Sequence, residues 1–205
     1  MNELTQSDNY QLLNRELAAP DPWGLDANPF ERERHTQMLR LALAQGSISS
    51  ALEVGCAAGA FTVQLAPHCK RLTVIDVVPQ AIERSRRRIR GSPHISWIVS
   101  DVQQFSPDER FDLIVVAEVL YYIGGIAEMR GAVRNLVRML APDGYLVFGS
   151  ARDANCRRWG HVAGAETILG MLNETLLEVE RLECRGESVN EDCLLACFRN
   201  PFSAS

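Results

Sequence analysis

The sequence predicts a doubly wound α/β sheet of mostly parallel strands that ends in an antiparallel pair. Three observations predict it. From Ser50 onward short apolar runs of β type alternate with helical stretches, which is the pattern of βαβ units. The first of these runs leads into a small-residue turn bearing two glycines. The last two runs follow each other with only a short turn between them, too close for a parallel crossover.

The elements follow in order. The first 30 residues are the least regular, with Pro20, Pro22, Gly24 and Pro29 close together. A helical pattern then starts at Phe30 and runs to Gly46, a plausible stop. The apolar runs are ALEV (51–54), RLTVID (71–76), HISWIV (94–99), FDLIVVAEV (111–119) and GYLVFG (144–149). Between them lie FTVQLAPHC, PQAIERSRRRIR and GGIAEMRGAVRNLVRML as covering helices. ETLLEVERLECRG and NEDCLLACFRN make the closing hairpin, turning near Gly186–Asn190. This divides the chain into a helical N-terminal extension, 1–46, and a sheet domain, 47–205.

Composition bounds the function. With 205 residues, 46% apolar and 23% charged, the chain is an ordinary globular domain. A net charge of −5 argues against a dedicated nucleic-acid binder. The basic run from Ser85 to Arg90 reads as the solvated face of a helix. The six cysteines show no CxxC pair and no ligand spacing with histidine, so no metal site is expected. No signal peptide and no apolar run of about 18 residues is present, so a cytoplasmic protein without a membrane span is expected.

The turn in ALEVGCAAGAFT (51–62) is where a cofactor is expected. Gly55 and Gly59 permit close backbone approach around Cys56, and the helix beyond supplies free N–H groups. A nicotinamide site would carry GxGxxG around a pyrophosphate. Here the pattern is ExGxxxG, and Glu53 suits a cationic, amino-bearing ligand instead. Asp76, followed by Val77, ends the second run about twenty residues after Gly55, where a carboxylate can accept both hydroxyls of a ribose. Asp101 ends the third run, placed to accept from an adenine amino group, with the Val102 N–H ready for a ring nitrogen. Each acid has a plainer alternative as the cap of a helix or turn.

Acids at three successive strand ends behind such a turn resemble the class I S-adenosylmethionine-dependent methyltransferases over Ser50–Arg199. The resemblance implies a Rossmann-like, seven-stranded sheet. It matches Glu53 to Gly59 to the glycine-rich motif, Asp76 to the ribose acid and Asp101 to the adenine acid. Ala57 stands where many members carry a further glycine.

FDLIVVAEVLYYI leads out of the fourth run, so Glu118, Tyr121 and Tyr122 are expected beside the transferred methyl. Glu118 is the first candidate to position an acceptor or relay its proton, and the two tyrosines are second. The alternatives are a carboxylate that binds the N-terminal segment, and tyrosines that pack the core. His161 is a further candidate base, with a plain core or surface histidine as its alternative. No [DN]PP[YFW] tetrapeptide and no acidic metal trio occurs, which favours a small acceptor. The N-terminal 46 residues are expected to form a lid, with Tyr10, Trp23 and Arg34 reaching the cofactor. Arg34 suits the cofactor's methionine carboxylate; its alternative is a solvated charge on an amphipathic helix.

NPFERERHTQMLRLAL, ALEVGCAAGAFT and FDLIVVAEVLYYI together resemble a narrower family, the rhizobial nodulation N-methyltransferases. That resemblance implies N-methylation of the free amine on the non-reducing glucosamine of a deacetylated chitooligosaccharide. The residues alone reach a small-molecule methyltransferase. They leave open another amine, hydroxyl or carboxylate acceptor, or a non-catalytic module that binds an adenosyl ligand.

Overall fold

Asn28 starts the helix that the sequence places after the irregular segment. Its Oδ1 accepts from the Phe30 N–H at 2.9 Å, and Pro29 fills the first helical position, where no N–H partner is needed. This helix, α2 (Pro29–Leu43), begins one residue before the expected start and ends short of Gly46. It is preceded by α1 (Gln6–Glu16), inside the stretch that looked least regular. The computed structural model describes residues 6–201, with side chains from Asn9 onward, so the outermost residues of both expected divisions lie outside the described residues.

The sheet is assembled from β1 (Ile48–Val54), β2 (Cys69–Asp76), β3 (Ile95–Val99), β4 (Phe111–Ala117), β5 (Leu140–Ala151), β6 (Leu177–Arg185) and β7 (Asp192–Arg199). The connections carry α3 (Thr62–Leu65), α4 (Pro79–Arg88), α5 (Ile126–Met139), α6 (Asp153–Arg158) and α7 (Ala165–Asn173). Strand order is β3-β2-β1-β4-β5-β7-β6. The first five strands pair in parallel, while β7 runs antiparallel to both β5 and β6. The chain reverses its winding between β1 and β4. Ligands of such sheets bind beyond the strand C-termini at that reversal.

Both faces of the sheet are covered, which is why the central strands are apolar along their whole length. One core packs Val133, Leu136 and Met139 of α5 and Leu169 and Leu172 of α7 against Leu52, Ile114, Val116 and Phe148. The other packs Met38 and Leu41 of α2 and Ala81 and Ile82 of α4 against Ala51, Leu72, Val74 and Leu195. Helix α2 is therefore a wall of the core. The expected boundary at residue 46 lies in the exposed turn between α2 and β1, but Leu41 before it and Ile48 after it share one core, and Leu17 ahead of α2 is buried there as well.

Two further differences have local causes. β5 begins at Leu140, directly after α5, because Leu140 pairs with Phe111 before a register shift. The crossover from β5 to β6 contains the short helix α6 and then α7, whose Ala165, Ile168, Leu169 and Leu172 recur at helical spacing on its buried face. Asp153 organises it, accepting from the Gly164 N–H at 2.6 Å and the Thr167 hydroxyl at 2.6 Å. The basic run on α4 is also more than a solvated face. Arg84 donates to the carbonyls of Ala18 and Ala19 beyond α1, and Arg88 grips Asp26.

Candidate active site

A cavity of about 980 Å³ opens at the C-terminal ends of β1, β2, β3 and β4. Its wall includes Glu53, Gly55, Cys56, Asp76, Val77, Asp101 and Val102 on one side and Glu118, Tyr121, Tyr122 and His161 on the other. Tyr10, Trp23 and Arg34 of the N-terminal segment border the same space. Of the residues singled out from the sequence, Gly59 is the one that does not line it.

The glycine turn is held shut from below. Gly55 has φ +79°, and a Cβ there would lie 2.3 Å from Val119 Cγ2, so only glycine passes beneath the β4 exit. Gly59, also at φ +79°, touches Ser85 of α4, where a Cβ would sit 3.1 Å from its Cα. Its part is to let α4 pack against the turn. Ala57 adopts φ +48°, the conformation for which other sequences use glycine.

Asp76 braces this turn. Its Oδ2 accepts from the Cys56 and Ala57 N–H groups at 3.0 and 3.2 Å, and Oδ1 from Val78 N–H at 2.9 Å. A carboxylate offers about four acceptor sites, so three amides leave room for one ribose hydroxyl rather than two. Burial raises its pKa, against the pull of those amides. Asp101 likewise caps its own turn, accepting from Gln103 N–H at 2.8 Å. Both acids thus combine the capping alternative with a place on the cavity wall.

Glu53 is 2% exposed. Its Oε1 accepts from Thr62 Oγ1 at 3.0 Å, while Oε2 is buried without a partner. Burial pushes the carboxyl up to about 8. A buried acid with one unsatisfied oxygen at a cavity wall fits a cationic amino group.

Glu118 leaves β4 with φ +55°, a left-handed backbone that turns the half-buried side chain back toward the sheet edge. Its Oε2 accepts from Ala151 N–H at 3.2 Å. Burial raises its pKa, and the charge of Arg34 opposes the rise. Arg34 itself is 3% exposed and bonded through Nε to Glu31 at 2.8 Å. Burial works against its charge, but Glu118 and Glu31 hold it firmly protonated. The solvated-charge alternative for Arg34 is thereby overturned.

Beyond Glu118 a short 3-10 turn, Leu120–Tyr122, presents an aromatic group. The Tyr121 ring lies 4.5 Å from Tyr122, 6.2 Å from Trp159 and 4.9 Å from His161. Burial raises both tyrosines, Tyr122 to about 12, and pushes His161 down to about 4. His161 is therefore a neutral ring with little affinity for a full proton.

Sequence reasoning missed Asn9, and also Ser188, Asn190 and Glu191 from the β6–β7 turn, all on the cavity wall. No motif marks them. The one available signal was that the hairpin turn reaches the same sheet end as β5 starts its crossover. Among the described residues no cluster of three or more metal-ligating side chains occurs, and no helix is long and apolar enough to cross a membrane.

The strand order and this cavity at the winding reversal define a class I methyltransferase, the class of S-adenosylmethionine-dependent enzymes. The family model for nodulation protein S (NodS) matches residues 5–205, and the chain belongs to that family. It is 74% identical to nodulation protein S of Rhizobium tropici over 98% of this chain and 85% of that one. It is 72% identical to nodulation protein S of Sinorhizobium fredii over 96% of this chain and 91% of the relative. The crystal structure of N-methyltransferase NodS from Bradyrhizobium japonicum WM9 with S-adenosyl-L-homocysteine superposes with a TM-score of 0.93. It is 66% identical, over 95% of this chain and 99% of that one.

Proposed function

We propose that this chain is an S-adenosylmethionine-dependent N-methyltransferase acting in Nod factor synthesis. Its acceptor is the free amine of the non-reducing glucosamine of a deacetylated chitooligosaccharide. The observation that carries the reading is one continuous cavity that joins the braced glycine turn to Glu118 and its aromatic neighbours. The N-methyltransferase name of the Bradyrhizobium relative supports a nitrogen acceptor, and the nodulation name of the curated relatives supports the setting.

Glu53 Oε2 and the turn around Cys56 receive the amino end of the cofactor. Asp76 takes a ribose hydroxyl, and Asp101 with Val102 takes the adenine. Arg34 faces the carboxylate end from α2. S-adenosylmethionine supplies a methyl on a sulfonium: the acceptor lone pair forms the N–C bond as the S–C bond breaks and its electron pair stays on sulfur. The protein aligns the reactants and excludes water. Glu118 orients the amine and draws off the proton that the new ammonium sheds. Residues 6–28, with Tyr10 and Trp23, form the lid.

Radiolabelled methyl transfer tests the reading. Deacetylated chitooligosaccharide is labelled and the fully acetylated form is not. Equal labelling of unrelated amines would reduce the enzyme to a general amine methyltransferase.

A further inference from the structure

Asn9 and His161 each bring an unsatisfied polar atom to the same cavity wall. Asn9 lies on α1 and is 3% exposed. Its Nδ2 donates to the backbone carbonyl of Tyr122 at 2.7 Å. A carbonyl only accepts, so this bond fixes which way the amide points and leaves Oδ1 as a buried acceptor with no partner. His161, 6% exposed, packs its ring 5.0 Å from Tyr122, and its Nδ1 is likewise buried and unpartnered. Buried polar atoms are paired in the great majority of cases, so two orphans around one tyrosine mark the place of a ligand with hydrogen-bond donors.

We propose that Asn9 Oδ1 and His161 Nδ1 form a two-point clamp that accepts hydrogen bonds from the methyl-accepting amine and its neighbouring sugar hydroxyl. This rests on the amine-acceptor reading above. A neutral primary amine has two N–H donors and one lone pair. Fixing an N–H on Asn9 leaves the lone pair free to face the methyl, and fixing the adjacent hydroxyl on His161 sets the rotation of the sugar. The neutral imidazole receives such a bond without taking the proton away. Asn9 also ties the clamp to the N-terminal segment, so the acceptor site is complete only when α1 is seated against Tyr122.

The test measures methyl transfer with saturating S-adenosylmethionine while chitotetraose deacetylated at its non-reducing end is varied. His161→Phe keeps the ring packing and removes the nitrogen. It raises the acceptor KM about tenfold, the loss of one hydrogen bond to a buried acceptor, with adenosylhomocysteine Kd nearly unchanged. His161→Gln returns an acceptor atom and recovers most of that loss. Asn9→Ala raises the acceptor KM as well. An unchanged KM in His161→Phe overturns the clamp, as does a parallel rise of acceptor KM and cofactor Kd in both residues' variants. Wild-type turnover of the deacetylated sugar is the separate control for the amine-acceptor reading. The clamp is read only from variant-to-wild-type ratios.

Discussion

Arg88 grips Asp26 with two parallel hydrogen bonds, each 2.7 Å, joining helix α4 of the sheet domain to the segment that borders the cavity at the winding reversal. The pair is partly exposed, so its weight in global stability is small, about 1 kcal/mol or less. Its effect is local. Asp26→Ala leaves the melting temperature nearly unchanged but exposes residues 17–28 to protease. Adenosylhomocysteine protects that segment less well in the variant than in wild type, as limited proteolysis with and without ligand will show. Equal cleavage in all four samples would make the segment a passive extension.

Asp76 bears on stability and affinity together. Asp76→Ala strands two buried N–H groups and one half-buried one, a cost on the order of 3 kcal/mol in urea unfolding. It also weakens adenosylhomocysteine by roughly 1.5–3 kcal/mol, the loss of bonds to a charged acceptor, measured by calorimetry on the folded fraction. Unchanged affinity in a destabilised variant would leave Asp76 as a brace alone.

Glu53 gives the cofactor affinity a pH dependence. Its carboxyl, pushed by burial from 4.5 to about 8, is protonated at neutral pH without ligand. A ligand ammonium favours the ionised form, so binding expels a proton. Affinity for adenosylhomocysteine therefore rises with pH from 6 toward 8, by up to about tenfold per unit. Calorimetry in buffers of different ionisation enthalpy will register the released proton, and Glu53→Gln will abolish it. The sign for folding is opposite. The stabilising contribution of the protonated acid is complete below 4.5 and is lost as pH rises through about 8.

Glu118→Gln lowers kcat on the order of 10²-fold, in the range for positioned acid–base groups, while the cofactor Kd stays close to wild type. Its Oε2 bond to Ala151 can be kept by the amide oxygen, so the fold is preserved. A retained kcat would remove Glu118 from the chemistry and leave Tyr121 and Tyr122 to be tested.

The fold was legible wherever burial forces a pattern. Strands with both faces covered read as continuous apolar runs, and the closing hairpin announced its antiparallel pairing by the shortness of its turn. Helix α6 escaped because its six residues are too short to carry an apolar stripe and Asp153 organises the crossover through bonds to Gly164 and Thr167, whereas the helical spacing of Ala165, Ile168, Leu169 and Leu172 in α7 was a signal the sequence reading passed over. In the site, Glu53, Asp76 and Asp101 stood out because acids at successive strand ends are spaced by the topology. Asn9 and the residues of the β6–β7 turn reach the cavity by tertiary placement alone. The bracing role of Asp76 was hidden because sequence cannot count the amides that converge on one carboxylate.

β7, the last strand in sequence, lies inside the sheet between β5 and β6. A nascent chain can pair its first five strands as they emerge, but β6 then has no neighbour to join. Until Asp192–Arg199 leaves the ribosome, β5 presents an open apolar edge, the kind of surface that recruits other strands. Completion of the sheet is thus decided when Asp192–Arg199 becomes available to pair. A truncation just before Asp192 removes a keystone from the middle of the sheet rather than a tail from its end.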